Sequence, residues 1–243
     1  MTFSTCASNN LDASASQPAF TKIRLYSVVP STASLGPGRR FAVWVQGCPF
    51  RCSGCLAPDS QPSNLGFDVV IAELAGRIVS SREIEGLTIS GGEPFSQPEA
   101  LAELFERVCA KRDLGVIIYS GYTLESLRRM GGRNPAVHRV LAGTDILIDG
   151  PYIESLDDGR ALRGSSNQRV HQLTDRYRSV FDITYGALAR KVEVHLGARG
   201  AMLVGVPSRR ALEKWNGLVE AKSAFREDGL VQENAASGIR ARA

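Results

Sequence analysis

No apolar run in this sequence approaches the ~18 residues that a membrane-crossing helix needs, so that kind of span is excluded. The N-terminus lacks a basic segment followed by an apolar one, so no secretory signal is expected and a cytoplasmic location is the default. An excess of one charge is also missing. Lys+Arg 29 against Asp+Glu 25 leaves a formal net charge of +4, too little to argue for a nucleic-acid partner. Histidine is scarce: His138, His171 and His195 are the only three, all far along the chain from the cysteine cluster. The five cysteines, Cys6, Cys48, Cys52, Cys55 and Cys109, do not form the even, spread set of a disulfide framework. Three of them fall within eight residues, as thiols do when they bind metal or carry redox chemistry in a reducing compartment.

Hydrophobic residues at 43% and charged residues at 22% are ordinary for a globular chain with a sizeable core. Residues 1–20, rich in Ser, Ala and Asn, read as a disordered tail. An α/β pattern follows from Lys22. Strands are expected over 22–29, 41–45, 86–90, 115–119 and 145–149. Helices are expected over 68–79, 98–111 and 123–130, with a short one opening at Asn134-Pro135. Pro98 suits a first helical turn and Thr123 suits a cap. A polar loop fills 150–168. A hairpin follows over 192–196 and 201–206, then a helix over 208–226 and a disordered end from 229. Strand–helix units with short connections predict mainly parallel strands in a partial (β/α) barrel. The organisation expected is a tail over 1–20, one barrel domain over 21–207, and a C-terminal helix and tail over 208–243.

Cys48, Cys52 and Cys55 are spaced C-x3-C-x2-C. Five cysteines placed at random over this length would give that spacing in roughly 1 chain in 500, so it is treated as a site. Three thiolates on one short loop can hold three irons of a four-iron cube, leaving the fourth free for a substrate or cofactor. A closed zinc site would need a fourth ligand, and only a distant histidine could supply it. Downstream, Gly91-Gly92-Glu93-Pro94 follows a strand end. Paired glycines admit close backbone approach, and the carboxylate beside them can accept hydrogen bonds from an ammonium group.

Together these motifs resemble the radical S-adenosylmethionine superfamily. Gly36-Pro37-Gly38, Arg40 and Gln46-Gly47-Cys48 resemble the entry segment of the glycyl-radical-enzyme activases within it. Gly54, the segment 120–127, the strand end 145–150 and the loop 163–168 resemble the branch that activates anaerobic ribonucleotide reductase. The resemblance runs from Ile23 to Arg176. The sequence departs from it at Leu35, where activases usually carry an acid, and in the extra residues after 176.

The resemblance implies a [4Fe–4S] cluster on Cys48, Cys52 and Cys55 as both metal ligands and catalytic residues. It implies S-adenosylmethionine bound by Gly91, Gly92, Glu93, Pro94, Ser120, Gly121, Asp149 and Asn167. For Ser120 and Gly121 a plain turn stays open, and for Asp149 a loop cap; Asn167, Gln168 and Arg169 could equally belong to a solvated loop. Cys109 reads as a small buried residue on its helix. The implied activity is reductive cleavage of S-adenosylmethionine to a 5′-deoxyadenosyl radical that takes a hydrogen atom from a glycine of a partner glycyl-radical enzyme. A flavodoxin- or ferredoxin-type donor would supply the electron. A radical enzyme acting on a small molecule or peptide, and a non-catalytic zinc or cluster module, remain the alternatives.

Overall fold

The computed structural model describes residues 21–180, 190–197 and 200–219. The N-terminal tail with Cys6, the end of the expected C-terminal helix and the tail from 229 lie outside them. The chain divides into two compact units, Met1–Val206 and Pro207–Ala243.

The first unit is built on a seven-stranded sheet in the order β3-β1-β2-β4-β5-β6-β7. The strands are β1 (Lys22–Thr32), β2 (Arg40–Val45), β3 (Phe67–Val70), β4 (Gly86–Gly91), β5 (Gly115–Ser120), β6 (Ile146–Asp149) and β7 (Arg169–Gln172). β2, β4, β5 and β6 are parallel neighbours. β1 is antiparallel to both β2 and β3, and β7 is antiparallel to β6. β3 and the central four thus share one direction, five strands of the seven. The sheet is mainly parallel and does not close into a barrel.

The helices are α1 (Ile71–Ser80), α2 (Pro98–Cys109), α3 (Leu124–Gly131) and α4 (Pro135–Ala142), with one further turn at Arg178–Val180. Pro98 and Pro135 stand in first helical turns, and Thr123 and Asn134 cap α3 and α4 through their side-chain oxygens. One expectation is corrected. Residues 68–70 are strand β3 rather than the start of α1, because Asp68, Val69 and Val70 pair with Arg24, Ile23 and Lys22. Two adjacent valines fit either period, and the pairing with β1 decides. β1 also runs on to Thr32, past Val29.

Alternation along the strands gives the sheet two apolar faces. Phe41, Val43, Leu87, Ile89, Val116 and Ile118 pack against α1, α2 and α4. Fully buried Leu101 and Leu104 of α2 each contribute on the order of 2 kcal/mol by leaving water. On the opposite face, Ala42 and Trp44 meet a two-stranded hairpin, β8 (Val192–Gly197) and β9 (Gly200–Gly205), through Val204 and Val206. Ile117, Ile146 and Ile148 meet Val170 and Tyr177. Glu193 fastens the hairpin to the end of β1, accepting hydrogen bonds from the Thr32 hydroxyl and the Ala33 amide at 2.8 Å each. Cys109 is half-buried rather than buried, because it ends α2 where the helix leaves the core.

In the second unit, residues 209–219 are helical, with an Arg209–Glu213 pair one turn apart. No helix among the described residues is long and apolar enough to cross a membrane.

Candidate functional site

Parallel pairing aligns the C-terminal ends of the central strands, with Val45 beside Gly91 and Ser120 beside Asp149. Side chains and loops from that edge converge beyond it, as ligand sites do in open α/β sheets. β2 delivers the cysteine loop there. The loop is anchored at its base, where the Gly47 amide donates to Ser60 O and the Cys48 amide to Gln61 O. Arg51 at φ 48° and Gly54 at φ 70° then reverse the chain, and the Cys55 amide closes the turn on Cys52 O. That left-handed position, with the Glu154 carboxylate 2.7 Å from where a Cβ would stand, makes Gly54 fit where a side chain would be strained.

Cys48, Cys52 and Cys55 are free thiols, each half-buried. Burial pushes the Cys48 thiol above its ordinary value, against hydrogen bonds from the Phe50 and Arg51 amides; the charges of Glu93 and Cys55 add to the rise. Iron bound at that sulfur would displace its proton and lift the cost, and the two amides would then serve a ligating thiolate. Among the described residues, no three His, Cys, Asp or Glu side chains converge on one metal ion. A cube needs no such convergence, since each thiolate bonds its own iron. Three free thiols on one turn, with amides aimed at one sulfur, suit the cluster.

The second motif is joined to the first through backbone. The Gly92 amide donates to Val45 O and the Glu93 amide to Gly47 O, both at 2.8 Å. A Cβ on Gly92 would collide with the Gly47 backbone. The glycines therefore admit the cysteine-bearing strand itself. Pro94 is buried and opens a short turn. The Glu93 carboxylate is buried too. It accepts from the Phe95 amide (3.0 Å), the Ser120 hydroxyl (2.9 Å) and the Gly121 amide (2.8 Å). Burial pushes its pKa up to about 7 in spite of those three donors.

Asp149, at the end of β6, is fully buried. It caps the first amide of α3 from 2.6 Å, receives both Nε and Nη2 of Arg169, and has His171 Nε2 3.0 Å away. Burial raises its carboxyl, but Arg169, the Leu124 amide and His171 outweigh it and hold it below its ordinary value. Asn167 lies beside Gly150 and donates to Pro151 O, with its Oδ1 buried. Gln168 is buried and braces the loop, bonding Gly150 O and the Gly164 amide.

Gly91, Gly92, Glu93, Pro94, Ser120 and Gly121 are thus brought together beside the cysteine loop. Asp149 is adjacent through Ser120, and Asn167 lies at the next loop. Two further residues join them. Phe50 covers Gly121 and meets the Tyr122 ring edge-on, centroids 4.8 Å apart. Glu154, on the turn Glu154–Leu156, covers Gly54. Phe50 stood inside the cysteine motif, whereas Glu154 is 100 positions from its neighbour and left no signal.

A family model described as "4Fe-4S single cluster domain" matches residues 34–171. The anaerobic ribonucleoside-triphosphate reductase-activating protein of Vibrio cholerae is 32% identical over 152 residues, covering 57% of this chain and 91% of that protein. Its counterpart from Salmonella typhi is 32% identical over 165 residues, covering 62% and 99%. The pyruvate formate-lyase-activating enzyme of Listeria monocytogenes is 34% identical over 87 residues, covering 34% and 35%. With its cysteine turn and Gly-Gly-Glu-Pro strand end locked together, and a family model matching more than half of its length, the chain belongs to the 4Fe–4S single cluster domain family.

Proposed function

We propose that this chain binds S-adenosylmethionine at a [4Fe–4S] cluster on Cys48, Cys52 and Cys55 and installs a glycyl radical on a partner enzyme of the anaerobic ribonucleotide reductase kind. The observation that carries the reading is the backbone junction of the two motifs, Glu93 amide to Gly47 O, at the C-terminal edge of the parallel strands. The near-complete coverage of reductase-activating proteins supports the partner class.

A cluster held by Cys48, Cys52 and Cys55 would supply the one-electron chemistry, passing an electron from an external donor to S-adenosylmethionine so that its C5′–S bond breaks, methionine leaves and the adenosyl carbon can take a hydrogen atom from the substrate. The chain's own residues fix where this happens. The three thiols would hold three irons of such a cluster, leaving one iron open to the cofactor. Glu93 keeps β4 and β5 in register beneath it through Ser120 and Gly121. Gly91, Gly92, Pro94, Asp149 and Asn167 are the remaining cofactor-side residues of the reading. A flavodoxin- or ferredoxin-type protein is the electron donor it calls for.

The test is anaerobic reconstitution with iron and sulfide, reduction, addition of S-adenosylmethionine and quantification of 5′-deoxyadenosine, with Cys52→Ala as control. A glycyl EPR doublet on an added anaerobic ribonucleotide reductase, absent with the control, is the expected result. A second reading, a radical enzyme acting on a small molecule or peptide, is favoured by the hairpin β8–β9, which lies beyond the family match. It expects 5′-deoxyadenosine to form with a small substrate and no protein partner.

A further inference from the structure

Arg190 lies beyond the family match, yet its side chain is only 5% exposed. Its guanidinium is spread across residues 157–164 of the loop 150–168. Nε donates to Arg160 O at 3.0 Å, and Nη2 to Arg163 O and Gly164 O at 2.8 and 2.7 Å. Nη1 meets the Asp157 carboxylate at 2.8 Å. A planar fork can serve three carbonyls and a carboxylate in one rigid geometry, and an ammonium cannot.

The clamped turn is not remote from the thiols. The Ser166 amide donates to Leu156 O at 2.7 Å, and the Ile153 amide to the Ser165 hydroxyl at 3.1 Å. The Tyr152 ring lies against Gly164. These contacts fix the turn Glu154–Leu156, and Glu154 in turn sits over Gly54 between Cys52 and Cys55. A continuous path of hydrogen bonds and packing runs from Arg190 to the cysteine loop.

We propose that Arg190 is a positioning residue: it presets the loop 150–168 so that Glu154 stays seated on the cysteine turn and keeps it in its binding shape. The turn it clamps lies within the family match, which ends at residue 171, and Arg190 lies beyond it. The cofactor part of the inference rests on the proposed function; the loop part does not.

The experiment compares native protein with Arg190→Ala, Arg190→Lys and Asp157→Asn. Hydrogen exchange is followed by mass spectrometry, and S-adenosylmethionine binding is followed by calorimetry on anaerobically reconstituted protein of matched iron content. Arg190→Ala is expected to speed exchange in 150–168 and in 52–57, and to weaken S-adenosylmethionine binding about tenfold, the usual scale for a group supporting a metal site from outside. Arg190→Lys recovers little, and Asp157→Asn shifts both readouts the same way by less. Unchanged exchange in 52–57, or a change confined to the clamped turn, overturns the inference. If Arg190→Ala does not fold, Asp157→Asn decides by the same readouts. If native protein binds no S-adenosylmethionine, the functional reading fails and exchange alone judges the clamp.

Discussion

Glu93 Oε2 accepts the Gly121 amide proton at 2.8 Å, and that bond ties the Gly-Gly-Glu-Pro strand end to the turn after β5. The other oxygen, Oε1, takes the Phe95 amide and the Ser120 hydroxyl. Glutamine can offer one oxygen to these donors, but its NH2 then faces an N–H. Glu93→Gln is expected to cost about 1–3 kcal/mol, the penalty of a buried donor left unpaired. Thermal unfolding of the apoprotein measures it, and a midpoint equal to the native one refutes it.

The same carboxyl gives a pH signature. Its ordinary value is 4.5 and burial lifts it to about 7. Across that window the folded chain keeps a proton that the unfolded chain has lost. Stability therefore falls as pH rises through the window and levels off above it, by about 3 kcal/mol in total. Urea midpoints of the apoprotein within and above the window test this, with Glu93→Gln as the reference that lacks the slope. A native advantage over Glu93→Gln that grows toward alkaline pH instead would reverse the assignment.

Cys48, Cys52 and Cys55 share one turn, so each is irreplaceable for a cluster but dispensable for the core. Replacing any one by alanine is expected to abolish the visible absorption and most of the iron after reconstitution, with the apoprotein's thermal midpoint little changed. Cys109→Ala is the matched control and keeps its iron. Retention of a full complement by Cys52→Ala would remove that residue from the ligand set.

What could be read in advance was whatever the chain keeps local. The cysteine spacing, the Gly-Gly-Glu-Pro string, the cap Thr123 and the helix start at Asn134-Pro135 are decided within a few residues, and all announced themselves. The residues 68–70 did not, because Val69 and Val70 satisfy a helix until β1 arrives to pair with them. Asp149 looked equally able to meet a ligand or cap a loop, and only the approach of Leu124 and Arg169 shows the cap. Glu154 over Gly54 and Arg190 over the loop 157–164 join distant stretches of chain, and no local pattern records such a meeting.

Arg40 is a buried cation served by neutral acceptors. At the opposite edge of the sheet from the thiols, its five hydrogen bonds reach Thr88 Oγ1, Pro37 O, the Tyr177 hydroxyl, Leu87 O and Gly115 O. The guanidinium also lies over the Tyr177 ring, 5.7 Å from its centroid. Methionine would fill the space but leave those carbonyls unpaired, and lysine has too few donors to serve them. Both Arg40→Met and Arg40→Lys are expected to destabilise by about 3 kcal/mol. Urea unfolding decides, and a loss in Arg40→Met but not Arg40→Lys would show that charge matters more than the fork.

Leu35 is where this chain departs from the acid that activases usually carry, and the departure has a structural counterpart. Leu35 is 3% exposed and packs in one cluster with Ala42 and Trp44 of the sheet and with Val204 and Val206 of the hairpin end. Those two valines lie beyond the family match, so the apolar residue and the added hairpin complete each other. An acid returned to this position would enter an apolar cluster. Its backbone neighbour Thr88 already donates to Leu35 O, which leaves that hydroxyl committed. Leu35→Asp is therefore expected to cost about 3 kcal/mol, the order for burying a polar group without a partner. Leu35→Met, which keeps volume and polarity, should cost less than about 1.5 kcal/mol. Trp44 reports directly from the cluster, so its fluorescence should shift to the red in Leu35→Asp and stay in place in Leu35→Met. Equal unfolding midpoints for Leu35→Asp and native protein would mean that the hairpin lifts away from the sheet at little cost, and that the two features are independent.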